Sequence, residues 1–286
     1  MAVETHEEVR LPDKMTRSER FFAALRDNVP SFILALVAWE LLAIWVDEPA
    51  LTPRLLEIFR RAYEVIFLKA GGQTLCVLCV HSMHTAWRIL VGTSIAMVLG
   101  VGIGIAMGRV LWVEKLMNPY LSMLLPIPAL AWSPIVVLWF GLGNTTMIFI
   151  TAFAAALPAI SSTWTGVKTV NPVWIRAAKS MNAEGMTLFW KVIFPGALPF
   201  IMSGFRLGLA RAWRAGIAGE FVAASDWGLG YAIFDSREEL DTAFMLVGVA
   251  TIALVGFIME KLMFEKIEKV TVVKWGMMTE IGGGND

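Results

Sequence analysis

Four ionisable side chains stand in an otherwise apolar run of the chain: Arg206, Arg211, Arg214 and Glu220, among the Leu, Ala, Gly and Trp of residues 198–224. If that run crosses a bilayer, each charge near its centre costs at least about 2.5–3.5 kcal/mol on insertion scales, which points to a purpose. A guanidinium is a planar, permanently charged fork that matches the oxygens of nitrate, carboxylate or sulfonate. Arg211 and Arg214, three residues apart, fall on one helix face and are candidates to contact an anion. The competing reading is that they neutralise Glu220 or the acidic residues that follow it. Glu220 itself fits a structural ion pair as well as a gating role, and Arg206 is similar. Trp213 and Pro128 complete the candidate pathway, although a tryptophan in such a run also fits an interfacial belt.

A second group, Cys76, Cys79, His81 and His84, has ligand-type residues but the wrong placement. Steps of about 100° around a helix turn these side chains to diverging faces, whereas zinc needs convergent ligands, so no metal site is expected. Two cysteines three positions apart make no disulfide framework and read as small packing residues.

The elements that must carry these residues follow from composition. Of 286 residues, 57% are hydrophobic and 17% charged, against roughly 45–50% and about 25% in soluble domains. With a mean hydropathy of +0.65, apolar side chains must face lipid as well as protein, which predicts an all-α integral membrane protein. The 24 basic and 24 acidic residues balance, so nothing in the charge points to nucleic acid. Residues 1–30 read as a polar cytosolic tail. Apolar runs near 31–46, 74–108, 120–142, 145–165, 198–224 and 242–264 predict six spans within a 31–265 domain, followed by a charged tail over 266–286. Glu40 is expected to face protein, and 51–70 an amphipathic interfacial helix. Gly100, Gly102 and Gly104 give the close spacing of helix contact. Pro126, Pro128 and Pro134 should kink the third span towards a pathway or packed interior. Lys and Arg concentrate in the first, third and fifth polar segments and the C-terminal tail, which predicts both termini inside; Arg54, Arg60, Arg61 and Lys69 dissent.

The polar loop 168–198, between spans four and five, holds NPVWIRAAKSMNAEGMTLFWKVIFPGALP at 171–199. Asn171 is a good N-cap, Pro172 suits the first helical position, and Asn182 can take the left-handed conformation at the helix end. A second short helix is expected from about Ala183 to Ile193, with Pro195 and Pro199 breaking the chain before the next span. The pair would form a knob with Met181, Met186, Leu188, Phe189 and Trp190 exposed, a shape suited to a groove on a soluble partner.

The loop resembles the signature of the permease subunit of bacterial ATP-binding-cassette importers: Glu-Ala-Ala, three residues, Gly, nine residues, Ile-x-Leu-Pro. Here the matching positions are Arg176-Ala177-Ala178, Asn182 and Val192-Ile193-Phe194-Pro195, so the spacing is kept while Arg replaces Glu and Asn replaces Gly. Residues 125–143 and 204–221 are similar to the branch that carries nitrate, taurine, sulfonates and bicarbonate. The resemblance implies a type I importer fold. It also implies that Arg176, Ala177, Ala178, Lys179, Met181, Asn182, Ala183, Glu184 and Gly185 couple the chain to an ATPase. The implied assembly is a homodimer in the bacterial inner membrane with two cytosolic ATPase subunits and a periplasmic or lipid-anchored solute-binding protein. ATP and Mg belong to the ATPase: this sequence has no G-x-x-x-x-G-K-S/T loop, so the chain is not expected to be an enzyme or to hold a cofactor. The alternative is an ion-coupled secondary transporter or channel, which would normally show internal symmetry or broken half-helices.

Overall fold

The computed structural model describes residues 17–67, 76–224 and 226–268, and all regular structure among them is helical. The tails expected over 1–30 and 266–286 lie mostly outside the described residues. The chain divides into two compact units at Arg60–Arg61.

The first unit holds α1 (Arg17–Val46) and the start of α2 (Leu55–Phe67). Its span-like stretch is Val29–Val46, and the helix runs through Pro30 instead of starting after it. Proline lacks one backbone donor but does not forbid a helix whose neighbouring turns hold. Glu40 meets protein as expected: one of its carboxylate oxygens accepts the Leu55 N–H at 3.0 Å and so caps α2. Trp39 donates its indole N–H to the Pro53 carbonyl at 3.1 Å. Along α2, Leu56, Phe59, Tyr63 and Ile66 form an exposed apolar stripe.

In the second unit α3 (Val77–Arg109), α6 (Asn144–Lys168) and α9 (Phe194–Ala223) form the packed centre. Ile89 and Ala96 of α3 meet Ala155 of α6 and Leu209 and Ala212 of α9. Small residues set this closeness. A Cβ on Gly100 would lie 2.8 Å from the Cβ of Ala159, and one on Gly104 would lie 2.6 Å from that of Thr163. Gly102, grouped with them by spacing, faces open space.

The third apolar run is not one helix. α4 (Leu111–Leu124) and α5 (Ser133–Phe140) are separated by residues 125–128 and a 3₁₀ turn, Ala129–Trp132, and the pair is bent by 92°. Pro128 caps the 3₁₀ turn and Pro134 sits in the first turn of α5, positions that need no backbone donor. Among the described residues five helices are long and apolar enough to cross a membrane, and the bent pair makes up to six.

α7 (Pro172–Ser180) and α8 (Gly185–Leu188) lead into a π turn, Phe189–Ile193, then α9. No break occurs at Pro195 or Pro199: the helical path runs from Gly185 to Ala223. The Phe194 N–H reaches back five residues to the Phe189 carbonyl, and this widened turn takes up the donor missing at Pro195. After α10 (Leu229–Asp235), the last described helix is α11 (Thr242–Glu268). Asp241 caps it through the Phe244 N–H at 2.9 Å and holds Arg61 at 2.6 Å. Burial opposes the charge on Arg61, but the Asp241 and Glu64 carboxylates outweigh it and raise its pKa above the ordinary value.

Candidate functional site

An open cavity of about 340 Å³ lies where the α4–α5 break faces α6 and α9. Leu125 to Leu130 form one wall, Phe153, Ala154 and Leu157 of α6 a second, and Arg211, Arg214, Ala215 and Ala218 of α9 the third. The proline-bounded break is what opens it, because a continuous helix would fill that space with its own turns. Arg211 and Arg214 reach the same wall because three residues advance a helix by about one turn. Among the described residues Arg211 has no hydrogen-bond or ion-pair partner, and Arg214 bonds only to the Ala210 carbonyl of its own helix, at 3.0 Å. The cavity therefore presents two positive charges that no described carboxylate neutralises.

Of the residues expected along a pathway, Arg211, Arg214 and Pro128 line this cavity, and Glu220, Arg206 and Trp213 do not. Arg206 reaches Glu260 of α11 at 3.2 Å. Trp213 and Arg214 line a second hollow of about 330 Å³ between α9 and α11, where the indole lies against Gly256. Glu220 is buried and paired with Arg88 of α3, at 2.9 Å.

Arg88 escaped the sequence reading, and it organises a polar knot at one end of the bundle. Its Nε donates to Asn144 at the start of α6 at 2.7 Å, and its terminal nitrogen also reaches the Trp227 carbonyl. Thr85 donates to both Glu220 oxygens and accepts the Leu229 N–H at 2.8 Å, while Gly230 N–H donates to Glu220 at 2.9 Å. Gly228 has φ +150, and any side chain there would run into the Glu220 carboxylate. One signal was on the page: Arg88 is the lone charge inside a long apolar run and needs a buried partner.

At the other end, the 171–193 loop folds as its local chemistry dictates. The Asn171 side chain accepts the Val173 N–H at 2.8 Å, and Pro172 begins α7. Asn182 has φ +60; Asn182 N–H bonds to Lys179 and Ala183 N–H to Ala178, the paired bonds of a Schellman end. Arg176, Ala177, Lys179, Met181, Asn182, Glu184 and Gly185 are exposed, and Ala178 and Ala183 are half-buried. Trp174, Met186 and Trp190 are exposed as well. Leu188 and Phe189, expected on the surface, are buried: the helix and π turn rotate them inward, and Phe189 stacks under Arg109, 4.9 Å from its ring centre.

The cysteines also depart from expectation, since Cys76 and Cys79 are disulfide-bonded to each other at the start of α3. No group of three or more His, Cys, Asp or Glu able to hold a metal occurs among the described residues.

Long apolar helices, a proline-broken third segment and a cationic cavity against the central helices define a multi-pass membrane protein of the permease type. Residues 96–264 match the family described as the binding-protein-dependent transport system inner membrane component, and the chain belongs to it. It is 34% identical over 230 residues to the taurine transport system permease protein TauC of Escherichia coli (strain K12), covering 80% of this chain and 82% of that protein. The putative aliphatic sulfonates transport permease protein SsuC of the same strain is 36% identical over 189 residues, 66% of this chain and 70% of that one. The bicarbonate transport system permease protein CmpB of Synechocystis sp. is 28% identical over 181 residues, with coverage of 63% and 65%.

Proposed function

We propose that this chain is the membrane subunit of an ATP-driven importer and forms the path for a small organic or inorganic anion. The observation that carries the reading is the cavity with Arg211 and Arg214, neither of which has a carboxylate partner among the described residues, while Glu220 pairs with Arg88 and Glu260 with Arg206. A site of two unpaired guanidiniums next to apolar walls favours an anion over a cation. The names of the relatives support the class: taurine, aliphatic sulfonates and bicarbonate all carry an anionic group.

Two copies of the chain pair around the path, and two cytosolic ATPase subunits dock on the knob at 172–193. A solute-binding protein delivers the anion from outside. The exposed Trp174, Met181, Met186 and Trp190 on a polar loop are the anchor residues such a dock requires. Both termini are cytosolic, in keeping with the Lys and Arg distribution, from which the segment holding Arg54, Arg60 and Arg61 dissents.

The test is uptake. The reconstituted transporter, with its ATPase and binding protein, should accumulate an anionic solute in proteoliposomes, and Arg211→Gln with Arg214→Gln should reduce that uptake while the assembly stays intact. Undiminished uptake by the double variant removes both residues from the path.

A further inference from the structure

We propose that Cys76 and Cys79 are a reversible thiol–disulfide site, and that reducing it loosens the hold of α3 on the loop between α9 and α10. The proposal goes beyond the anion-path reading and does not depend on it.

Two observations converge on the pair. The first is its chemistry. The cysteines have the Cys-x-x-Cys spacing with their Cα atoms 5.1 Å apart, and Cys76 is the N-cap of α3. Cys79 is exposed and Cys76 half-buried, so an incoming thiolate reaches the Cys79 sulfur. The bond between the two sulfurs breaks, and Cys76 leaves as a thiolate that keeps the Cys79 N–H, 3.2 Å from its Sγ, as a donor at the positive end of the helix. The second thiol of a dithiol then displaces Cys79 from the mixed disulfide. The dithiol is oxidised by two electrons, and the pair takes up those electrons and two protons. In the proposed topology this end of the bundle faces outside, where disulfides form and persist.

The second observation is what the opening turns of α3 hold. The first turn rests on the disulfide and on two backbone bonds to one carbonyl, from Cys79 N–H and Val80 N–H to Cys76 at 3.0 and 3.2 Å. Beyond it His81, Thr85 and Arg88 share one buried face. Gly228 N–H donates to His81 Nδ1 at 3.1 Å, Leu229 N–H donates to Thr85, and the Trp227 carbonyl accepts from Arg88. The Trp227 ring centre lies 5.1 and 5.9 Å from those of His81 and His84. Three consecutive loop residues are thus pinned by the start of one helix. Opening the disulfide returns that start to the fraying of an ordinary first turn, and the His81–Gly228 contact is the first to loosen.

Hydrogen exchange on the complete purified transporter, before and after dithiothreitol, tests this. Reduction is counted on this chain by iodoacetamide alkylation and mass spectrometry, since Cys76 and Cys79 are its only two cysteines. The expected result is no alkylation before dithiothreitol and alkylation of both cysteines after it, with the transporter still folded. Amides of 80–85 and 228–230 should then exchange about tenfold faster, the order of restraint a ring of about four residues supplies. Those of the knob at 172–185 should keep their rate. The Cys76→Ser, Cys79→Ser double variant should show the reduced pattern from the outset and ignore dithiothreitol, and Cys79→Ser alone serves in its place if the double variant accumulates poorly. Thiols that become alkylated only when the transporter denatures remove the exchange site. Reduction that leaves 228–230 at the oxidised rate, or an equal response to dithiothreitol in the serine variant, removes the hold of the pair on the loop.

Discussion

The Glu220 carboxylate of α9 lies 2.9 Å from the Arg88 guanidinium of α3, and both side chains are at most 4% exposed. Neither charge has water to fall back on, so the pair and its surrounding donors behave as one unit. Removing one partner leaves the other buried and uncompensated, at a cost of about 3–5 kcal/mol. Arg88→Leu or Glu220→Leu should therefore lower the thermal midpoint of the purified transporter sharply or prevent its accumulation. The double Arg88→Leu, Glu220→Leu variant should recover most of the loss. If the single variants melt like the parent protein, the knot does not hold the bundle.

The turn at Asn182 depends on a positive φ. A β-branched residue resists that conformation by roughly 1–2 kcal/mol, while glycine adopts it freely. Asn182→Gly should keep ATPase stimulation by the substrate-loaded binding protein, and Asn182→Val should weaken it with the melting of the membrane domain unchanged. Equal stimulation in both variants would disconnect this turn from coupling.

Helix contact between α3 and α6 gives a paired comparison. Gly100→Leu drives a side chain into Ala159 and the Ala156 carbonyl, and overpacking of this kind costs about 1–3 kcal/mol or more. A Cβ on Gly102 meets nothing within 4 Å, so Gly102→Leu starts into open space. Thermal melting in detergent should separate the two, with only the Gly100 variant destabilised; the reverse order would refute the helix register described above.

Orientation is checked by labelling. Ser236, at the end of α10, and Ser180, at the end of α7, belong to opposite sides of the membrane in the proposed topology. An impermeant maleimide applied to sealed right-side-out cells should mark Ser236→Cys and leave Ser180→Cys unmarked. Marking of Ser180→Cys from outside would invert the topology.

Wherever a signal is local, the linear chain sufficed. Hydropathy placed the long helices, because burial in lipid is summed over about twenty neighbouring residues. Asn171, Pro172 and Asn182 defined α7 because a cap, a preset φ and a left-handed end each act within a few residues of the backbone they complete. Glu40 could be assigned to protein from cost alone, although its partner could not. Partner choice across the fold was a different matter. Arg88 and Glu220 stand 132 residues apart, and no pattern in either segment names the other. Only when α3, α6 and α9 pack does Glu220 meet Arg88, and only the break between α4 and α5 packed against α6 and α9 gives Arg211 and Arg214 a cavity to line. Leu188 and Phe189 looked exposable on a short loop helix, but the π turn before Pro195 merges that helix with α9 and turns both side chains inward. Short-range chemistry thus determined which elements form, while the relative rotation and closeness of the helices, set by small residues at their contacts, decided which charges meet and which remain open to a ligand.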